Sequence, residues 1–326
     1  MKKALILGVT GQDGSYLADI LLGKGYEVHG LIRKSATGNT NNIQHLIDEE
    51  NIFNSSFFLH RGDLLDTTSL YRIFSDVNPD EIYNEADQDH VRWSYDMVGY
   101  SSEITAVAVA RILETIKQIN PNIKYFQPLT SNMFGISNVD KQNELTPFNP
   151  QSPYAIAKTF AYYTTRYYRE TFGIHASTAI FYNHESPRRT PEYVTRKITQ
   201  SVARIYLGKQ KKIVLGDTSA KIDWGYAKDY MEAAWSMLQH KDADDYVIGS
   251  GMAYSVKDFV DEAFSIVGLE ADKYLQTSQE FMRPTKTSTL IADTSKAKKI
   301  LNFKPEIDFH NLVRIMVEED LNNQKN

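Results

Sequence analysis

Near its start the chain runs from four consecutive apolar residues, Ala4-Leu5-Ile6-Leu7, directly into Gly8-Val9-Thr10-Gly11-Gln12-Asp13-Gly14. An apolar helical stretch from Tyr16 to Leu22 follows, closed by Gly23-Lys24-Gly25, and Tyr26 to Ile32 then reads as a second strand. Strand, glycine turn, helix and strand within about thirty residues is the unit that sets a pyrophosphate at a helix N-terminus. Glycine at 8, 11 and 14 lets the backbone approach phosphate and lets the helix pack closely on the sheet. Thr10, Gln12 and Asp13 fill the same turn and are expected to share in holding a dinucleotide. After the second strand, a carboxylate would take the adenosine ribose 2′-hydroxyl, whereas arginine suits a 2′-phosphate. This chain has Arg33-Lys34-Ser35 there, which fits NADP, the competing reading being a solvated basic loop. Gly62-Asp63-Leu64 follows another apolar stretch, where Asp63 could accept from an adenine amino group.

Strand-like runs recur at 4–7, 26–32, 56–60, 81–85, 124–128 and 176–182, alternating with helical segments near 12–24, 67–76, 101–119 and 152–172. That alternation predicts an α/β fold, a Rossmann-type doubly wound parallel sheet with helices on both faces. After residue 183 the pattern loosens into a polar, proline-punctuated stretch, then a helix over about 192–207, a strand at 212–215 and helices near 228–239, 255–267 and 309–320. Residues 1–183 are expected to form the NAD(P)-binding domain and 184–326 a smaller α/β substrate domain, with the chain crossing between them.

The 326 residues are 42% hydrophobic, enough for a large core, and a net charge of −5 gives no footprint for nucleic acid. Without cysteine, a disulfide framework, a thiol nucleophile and a cysteine-ligated zinc are excluded, and no metal is expected. No run approaches the roughly eighteen apolar residues that span a bilayer. The opening Met1-Lys2-Lys3 and four apolar residues are too short for a signal peptide, so a soluble cytoplasmic protein is expected.

Chemistry is carried by Tyr154 and Lys158 in Ser-Pro-Tyr-Ala-Ile-Ala-Lys, with Thr130-Ser131 upstream. Positions i and i+4 share a helix face. An ammonium there favours the phenolate of a tyrosine whose ordinary pKa is about 10. Such a phenolate is a general base for a carbinol proton. A neighbouring Thr130 hydroxyl can orient the same oxygen. Alone, the pair is matched by chance in a chain with 20 tyrosines; the glycine turn supplies its context.

With both ends placed, the chain resembles the extended short-chain dehydrogenase/reductases, and closely the GDP-mannose 4,6-dehydratase family. The resemblance rests on Gly8 to Leu17, Glu27-Val28-His29-Gly30, Ser152 to Lys158, Asn183-His184-Glu185-Ser186-Pro187-Arg188-Arg189, Val194 to Thr199, Asp223 to Tyr230 and Arg283-Pro284-Thr285. It implies that Tyr154 removes the C4 hydroxyl proton as hydride leaves for a tightly bound NAD or NADP. Lys158 would bind the nicotinamide ribose and Thr130 the C4 oxygen. Asn183, Arg189, Val194, Lys197 and Arg283 fall in segments expected around a nucleotide diphosphate, a task suited to guanidinium and ammonium groups. The substrate implied is a GDP-sugar, and the assembly a homodimer or homotetramer through helices such as 101–119 and 152–172.

The chain also departs from that family. Where the family carries the glutamate that assists elimination, this chain has Asn132, whose amide is no general acid or base. The loop Asn84-Glu85-Ala86-Asp87-Gln88-Asp89-His90-Val91 gains three carboxylates. Asp87 or Asp89 could be a displaced base, could bind sugar hydroxyls, or could turn to solvent. Ile222 replaces an arginine, Lys286 an acidic residue, and Asn42 a cofactor-loop arginine, the last favouring NAD. The leading expectation is an oxidoreductase that oxidises C4 of a GDP-linked manno-configured hexose or heptose, with Asn132 and Asp89 among the substrate contacts. The alternatives are a 4,6-dehydratase with a relocated acid/base and a catalytically silent nucleotide-sugar sensor.

Overall fold

A computed structural model of the chain describes residues 1–35, 38–278 and 288–325. The elements begin β1 (Lys3–Leu7), α1 (Gln12–Gly23), β2 (Glu27–Ile32), α2 (Gln44–Ile47), β3 (Phe57–Arg61), α3 (Thr67–Val77), β4 (Glu81–Asn84), α4 (Val91–Asp96), α5 (Val98–Ser102), α6 (Ala108–Ile119) and β5 (Lys124–Thr130). They continue α7 (Pro153–Phe172), β6 (Ala176–Phe181), β7 (Asn183–Glu185), α8 (Val194–Tyr206), β8 (Ile213–Leu215), β9 (Lys221–Ile222), β10 (Trp224–Tyr226), α9 (Ala227–Gln239) and β11 (Asp245–Ile248). The remainder is β12 (Tyr254–Ser255), α10 (Val256–Ile266), β13 (Leu275–Thr277), α11 (Ser295–Leu301) and α12 (Phe309–Lys325).

Seven strands form one parallel sheet in the order β11-β6-β5-β4-β1-β2-β3. β1 pairs with β2 on one side (Lys3 opposite Glu27) and with β4 on the other (Ala4 opposite Glu81). The strand order therefore reverses between β1 and β4, which opens a crevice at their C-terminal ends. Six strands match the sequence expectation; β11 is the addition. Its four residues open on Asp245, which reads as loop, but Arg169 grips that carboxylate with two bonds of 2.9 and 2.8 Å and the Thr178 hydroxyl donates at 2.7 Å. Pairing of this kind lets a charge open a buried strand.

One face of the sheet is covered by α1 and α9 around Leu17, Leu21, Phe57, Phe126 and Met237. The other carries α3, α6 and α7 over Leu70, Phe74, Ile112, Leu113 and Ile116. A third cluster gathers α8, α10 and α12 around Trp224, Phe259 and Phe309. The chain thus returns after residue 183 to add α9 and β11 to the large sheet, then leaves it again.

Local sequence fixes the elements that bear the chemistry. Helix α7 starts where Ser152 accepts from the Ala155 N–H, with Pro153 in the first turn, and stops at Gly173 in the left-handed region (φ 69°). Tyr154 and Lys158 therefore sit in its first two turns. The expected helix over 101–119 is instead α5, a π-helical turn at Glu103–Val107, and α6 in succession. The π turn sets the Thr105 hydroxyl to accept from the Gln88 N–H at 3.2 Å, and Ser101 donates to Gln88 at 2.6 Å. The acidic loop after β4 is thereby anchored. Among the described residues, no helix is long and apolar enough to cross a membrane.

Candidate active site

The crevice at the β1/β4 reversal widens into a cavity of about 780 Å³ lined from the ends of β1, β2, β4, β5 and β6. Its floor is the glycine turn. Gly8 has φ +81°, and a Cβ there would stand 2.6 Å from the Glu85 carbonyl oxygen; one on Gly14 would stand 2.4 Å from the Gly8 oxygen. These are backbone contacts that cannot give way, so glycine alone fits. Helix α1 has no side-chain cap at Gly11, which leaves first-turn N–H groups for an anion. Arg33, Asp63 and Leu64 line the far side, and Asn42 donates to the Thr10 carbonyl at 3.1 Å, tying its loop to the turn. A closely approachable turn, a free helix terminus and polar groups at one end fit a dinucleotide.

Tyr154 and Lys158 lie on the opposite wall, both buried. The Lys158 ammonium donates to the Pro128 carbonyl at 2.8 Å and pairs with Asp87 at 2.5 Å. An ammonium has three N–H donors, so one remains. Burial opposes the Lys158 charge, but Asp87, then Tyr154 and Glu85, more than reverse this and hold its pKa up. Here the sequence expectation needs correction. Lys158 does pull Tyr154 toward the phenolate, and the Thr130 hydroxyl helps, but burial, reinforced by Asp87 and Asp89, leaves the phenol above its ordinary value. The ammonium is shared with a carboxylate, so it does not serve the phenol alone.

Thr130, the last residue of β5, accepts from the Asn132 backbone N–H at 3.2 Å and from the Asn132 side-chain amide at 3.0 Å. Asp87 turns inward to Lys158; Asp89 is about half exposed and reaches the Arg189 guanidinium at 3.6 Å. Arg189 lies 3.4 Å over the Tyr193 ring and 3.6 Å from buried Glu185, which also accepts from Thr195 at 2.7 Å. Beside the glycine turn, Asp13 pairs with His184 of β7 at 2.8 Å, and His184 donates through its other nitrogen to the Tyr182 carbonyl at 2.9 Å. Burial raises Asp13, but His184 and then Arg189 outweigh it and hold the carboxyl below its ordinary value. Burial likewise lowers His184, and Asp13 overcomes this to raise it.

A family model described as GDP-mannose 4,6 dehydratase matches residues 5–316. The chain is 46% identical over 325 residues to GDP-mannose 4,6 dehydratase 1 of Arabidopsis thaliana, covering 98% of this chain and 90% of the relative. This chain belongs to the GDP-mannose 4,6-dehydratase family. The human protein of that name is 43% identical over 339 residues, covering 98% of this chain and 91% of its own. Among solved structures, dTDP-glucose 4,6-dehydratase of Bacillus anthracis with NAD superposes at a TM-score of 0.85, with 20% identity and 100% and 98% of the two chains covered. RMD of Pseudomonas aeruginosa with NADPH superposes at 0.83, with 18% identity and 99% and 100% covered. Those two show the fold.

For a GDP-mannose 4,6-dehydratase family member, most of the residues singled out in the sequence meet in one cavity. Gly8, Thr10, Gly11, Gln12, Asp13, Arg33, Asp63, Leu64, Asp89, Thr130, Asn132, Tyr154, Lys158, Asn183, Arg189 and Val194 all line it. Gly14 supports it from the turn of α1. Arg33 donates to the Tyr100 hydroxyl at 2.7 Å, and the Asp63 carboxylate accepts from the Leu65 N–H at 2.9 Å. Lys197 is not among the lining residues: its ammonium donates to the Val214 carbonyl of β8 at 2.8 Å. Arg283 and Lys286 lie outside the described residues. Sequence reasoning counted Glu85 among the β4-loop carboxylates and His184 within a family motif, but gave neither a role. Glu85 lines the cavity with a buried, unpartnered Oε1, and burial, then the charge of Asp13, pushes its carboxyl well up toward the neutral form. Glu85 stands one residue beyond β4 and His184 three beyond β6, inside β7; this closeness to the strands that frame the crevice was the available signal.

Proposed function

We propose that the chain is a nicotinamide-dependent enzyme that oxidises C4 of a GDP-linked manno-configured sugar, GDP-mannose or the corresponding heptose, eliminates water between C5 and C6, and returns the hydride to C6 and a proton to C5, so that the net change is loss of one water. The observation that carries this is the cluster of Tyr154, Lys158 and Thr130 in one cavity of a chain aligned with the family over residues 5–316. Tyr154 takes the C4 hydroxyl proton, Thr130 donates to the C4 oxygen, and the remaining Lys158 N–H is left for a ribose hydroxyl. The glycine turn and α1 would hold the pyrophosphate of NAD or NADP, with Asp63, Leu64 and Arg33 toward the adenosine end; when bound, the nicotinamide supplies the hydride acceptor. Arg189, Asn183 and Val194, with Arg283, are assigned to the sugar diphosphate. Residues 1–183 serve chiefly the cofactor and 184–326 the nucleotide sugar, as a cytoplasmic homodimer or homotetramer.

Elimination needs a proton acceptor at C5 and a donor at the C6 oxygen. Asn132 supplies neither, so the reading assigns that work to a carboxyl of the β4 loop, Asp87 or Asp89. The amide at 132 favours a second reading, in which C4 oxidation is the whole reaction. Mass spectrometry after incubation with GDP-mannose or GDP-manno-heptose separates them: loss of 18 mass units marks elimination, loss of 2 marks oxidation alone. An unchanged sugar with every cofactor state defeats both and leaves the silent sensor. Asp87→Asn that still yields the product lighter by 18 removes Asp87 from the elimination step.

A further inference from the structure

The Thr130 hydroxyl has one proton and two lone pairs. Among the described residues, Asn132 supplies both donors that reach it, its backbone N–H at 3.2 Å and its side-chain amide at 3.0 Å. The first belongs to the short helical turn at Ser131–Met133, which Thr130 caps, and persists with any residue but proline at 132. The second depends on the side chain. With both lone pairs occupied, Thr130 can only give its proton away, and the Tyr154 phenol lines the same cavity and is eased toward the phenolate by that hydroxyl.

We propose that Asn132 is a positioning residue: its amide fixes Thr130 as an obligate donor, so that the single hydroxyl proton is aimed at the Tyr154 oxygen and, with substrate present, at the C4 oxygen. This rests on the reading of Tyr154 as the base. A carboxylate at 132 would do the reverse, since it can only accept and would draw the Thr130 proton onto itself. The amide matters here because Lys158 is shared. Its ammonium is held by Asp87 and the Pro128 carbonyl, and its distance to the Tyr154 ring centre is 5.8 Å. The charged and titratable groups facing Tyr154 include Lys158 of α7, Asp87 and Asp89 of the loop after β4, and Tyr193 ahead of α8, whose ring Arg189 covers and His90 meets edge-on at 5.2 Å. Among these the carboxylates work against the phenolate, and Thr130 donates in its favour. Asn132 therefore offsets the negative charge that the β4 loop brings to the base, and it acts on C4 chemistry without touching the reacting atoms.

The test is the pH–rate profile of C4 oxidation, followed by nicotinamide absorbance, with melting temperature and substrate affinity measured on each variant. Asn132→Asp keeps the shape, removes the donor and adds an acceptor. Its rising limb should move at least one unit to higher pH, a loss of about tenfold or more at a fixed pH on that limb, with KM little changed. Asn132→Ala, Thr130→Val and the double variant form a cycle, and the double should be no slower than Thr130→Val alone. Thr130→Ser, which keeps the hydroxyl, should retain the wild-type limb. An Asn132→Asp profile that overlies the wild type, or an additive cycle, overturns the proposal. Tyr154→Phe separates this from the parent reading. Activity surviving there removes Tyr154 as the base, and the proposal falls with it; activity lost there with an unmoved Asn132→Asp limb defeats the proposal alone.

Discussion

Tyr154 and Lys158 share one helix face, yet their electrostatics are set by a residue more than sixty positions away. Asp87 holds the Lys158 ammonium at 2.5 Å and so weakens the help that ammonium can give to the phenol. Because the base acts when deprotonated, anything that lowers its pKa moves activity to lower pH. Asp87→Asn removes a carboxylate beside both groups, so the rising limb of C4 oxidation is expected to shift acid by about one unit. The same change leaves Lys158 buried against the Pro128 carbonyl without a counter-ion. Breaking a buried pair from one side costs up to about 3–5 kcal/mol, and a lower melting temperature is expected beside the acid shift. An unmoved limb in a variant with normal stability would show that Asp87 does not act on the base. Tyr154→Phe should lower C4 oxidation by about 10²–10⁴ with the melting temperature preserved, as checked by single-turnover hydride transfer.

At the scale of elements, the glycine turn and β7 meet beside α1. Gly8→Ala drives a methyl into the Glu85 carbonyl from a positive-φ backbone, and Gly14→Ala drives one into the Gly8 oxygen. Either should abolish co-purification of a nicotinamide dinucleotide and lower stability by more than about 1 kcal/mol, read by released-nucleotide mass spectrometry and thermal unfolding. The Asp13–His184 pair joins α1 to β7 with a pH signature. His184 has a raised folded pKa, so its contribution is full below 6.5 and fades as pH rises through the raised value. Asp13 has a lowered one, so its contribution is full above 3.8 and is lost as pH falls through the lowered value. The melting-temperature gap between wild type and His184→Gln should therefore be widest between about pH 4 and 6.5 and narrow toward alkaline pH.

These elements also show what the sequence can and cannot carry. The turn at Gly8–Gly14 was readable because its glycines are demanded by backbone contacts, a constraint that acts over a few residues. The start of α7 was readable for the same reason, through Ser152, Pro153 and Gly173. Strand β11 was not, because Asp245 is made tolerable by Arg169 and Thr178, which lie far off in sequence. Lys197 was assigned by its neighbours in the sequence, but its ammonium is held by the Val214 carbonyl of β8, a partner the sequence does not show. The raised phenol of Tyr154 reflects burial and the inward turn of Asp87, which appear only when the β4 loop is folded over the cavity.

At the scale of the molecule, α7 presents Ile156, Phe160, Tyr163 and Tyr167 on one outward stripe, each about half exposed or more. A row of large apolar side chains on a long helix is a surface that association would cover. Phe160→Glu with Tyr163→Glu should reduce the particle mass in light scattering to that of one chain, with circular dichroism unchanged. An unaltered mass would place the interface elsewhere. The outermost position of β11 has a consequence for synthesis. The strand next to it, β6, leaves the ribosome more than sixty residues earlier, and during that interval its ladder edge has no neighbour. Edges of this kind invite pairing with other chains. A nascent chain halted shortly after residue 183 should thus be protease-sensitive and prone to aggregate, and protection should appear only when residue 248 has emerged, so that the cofactor sheet closes from its far side late in translation.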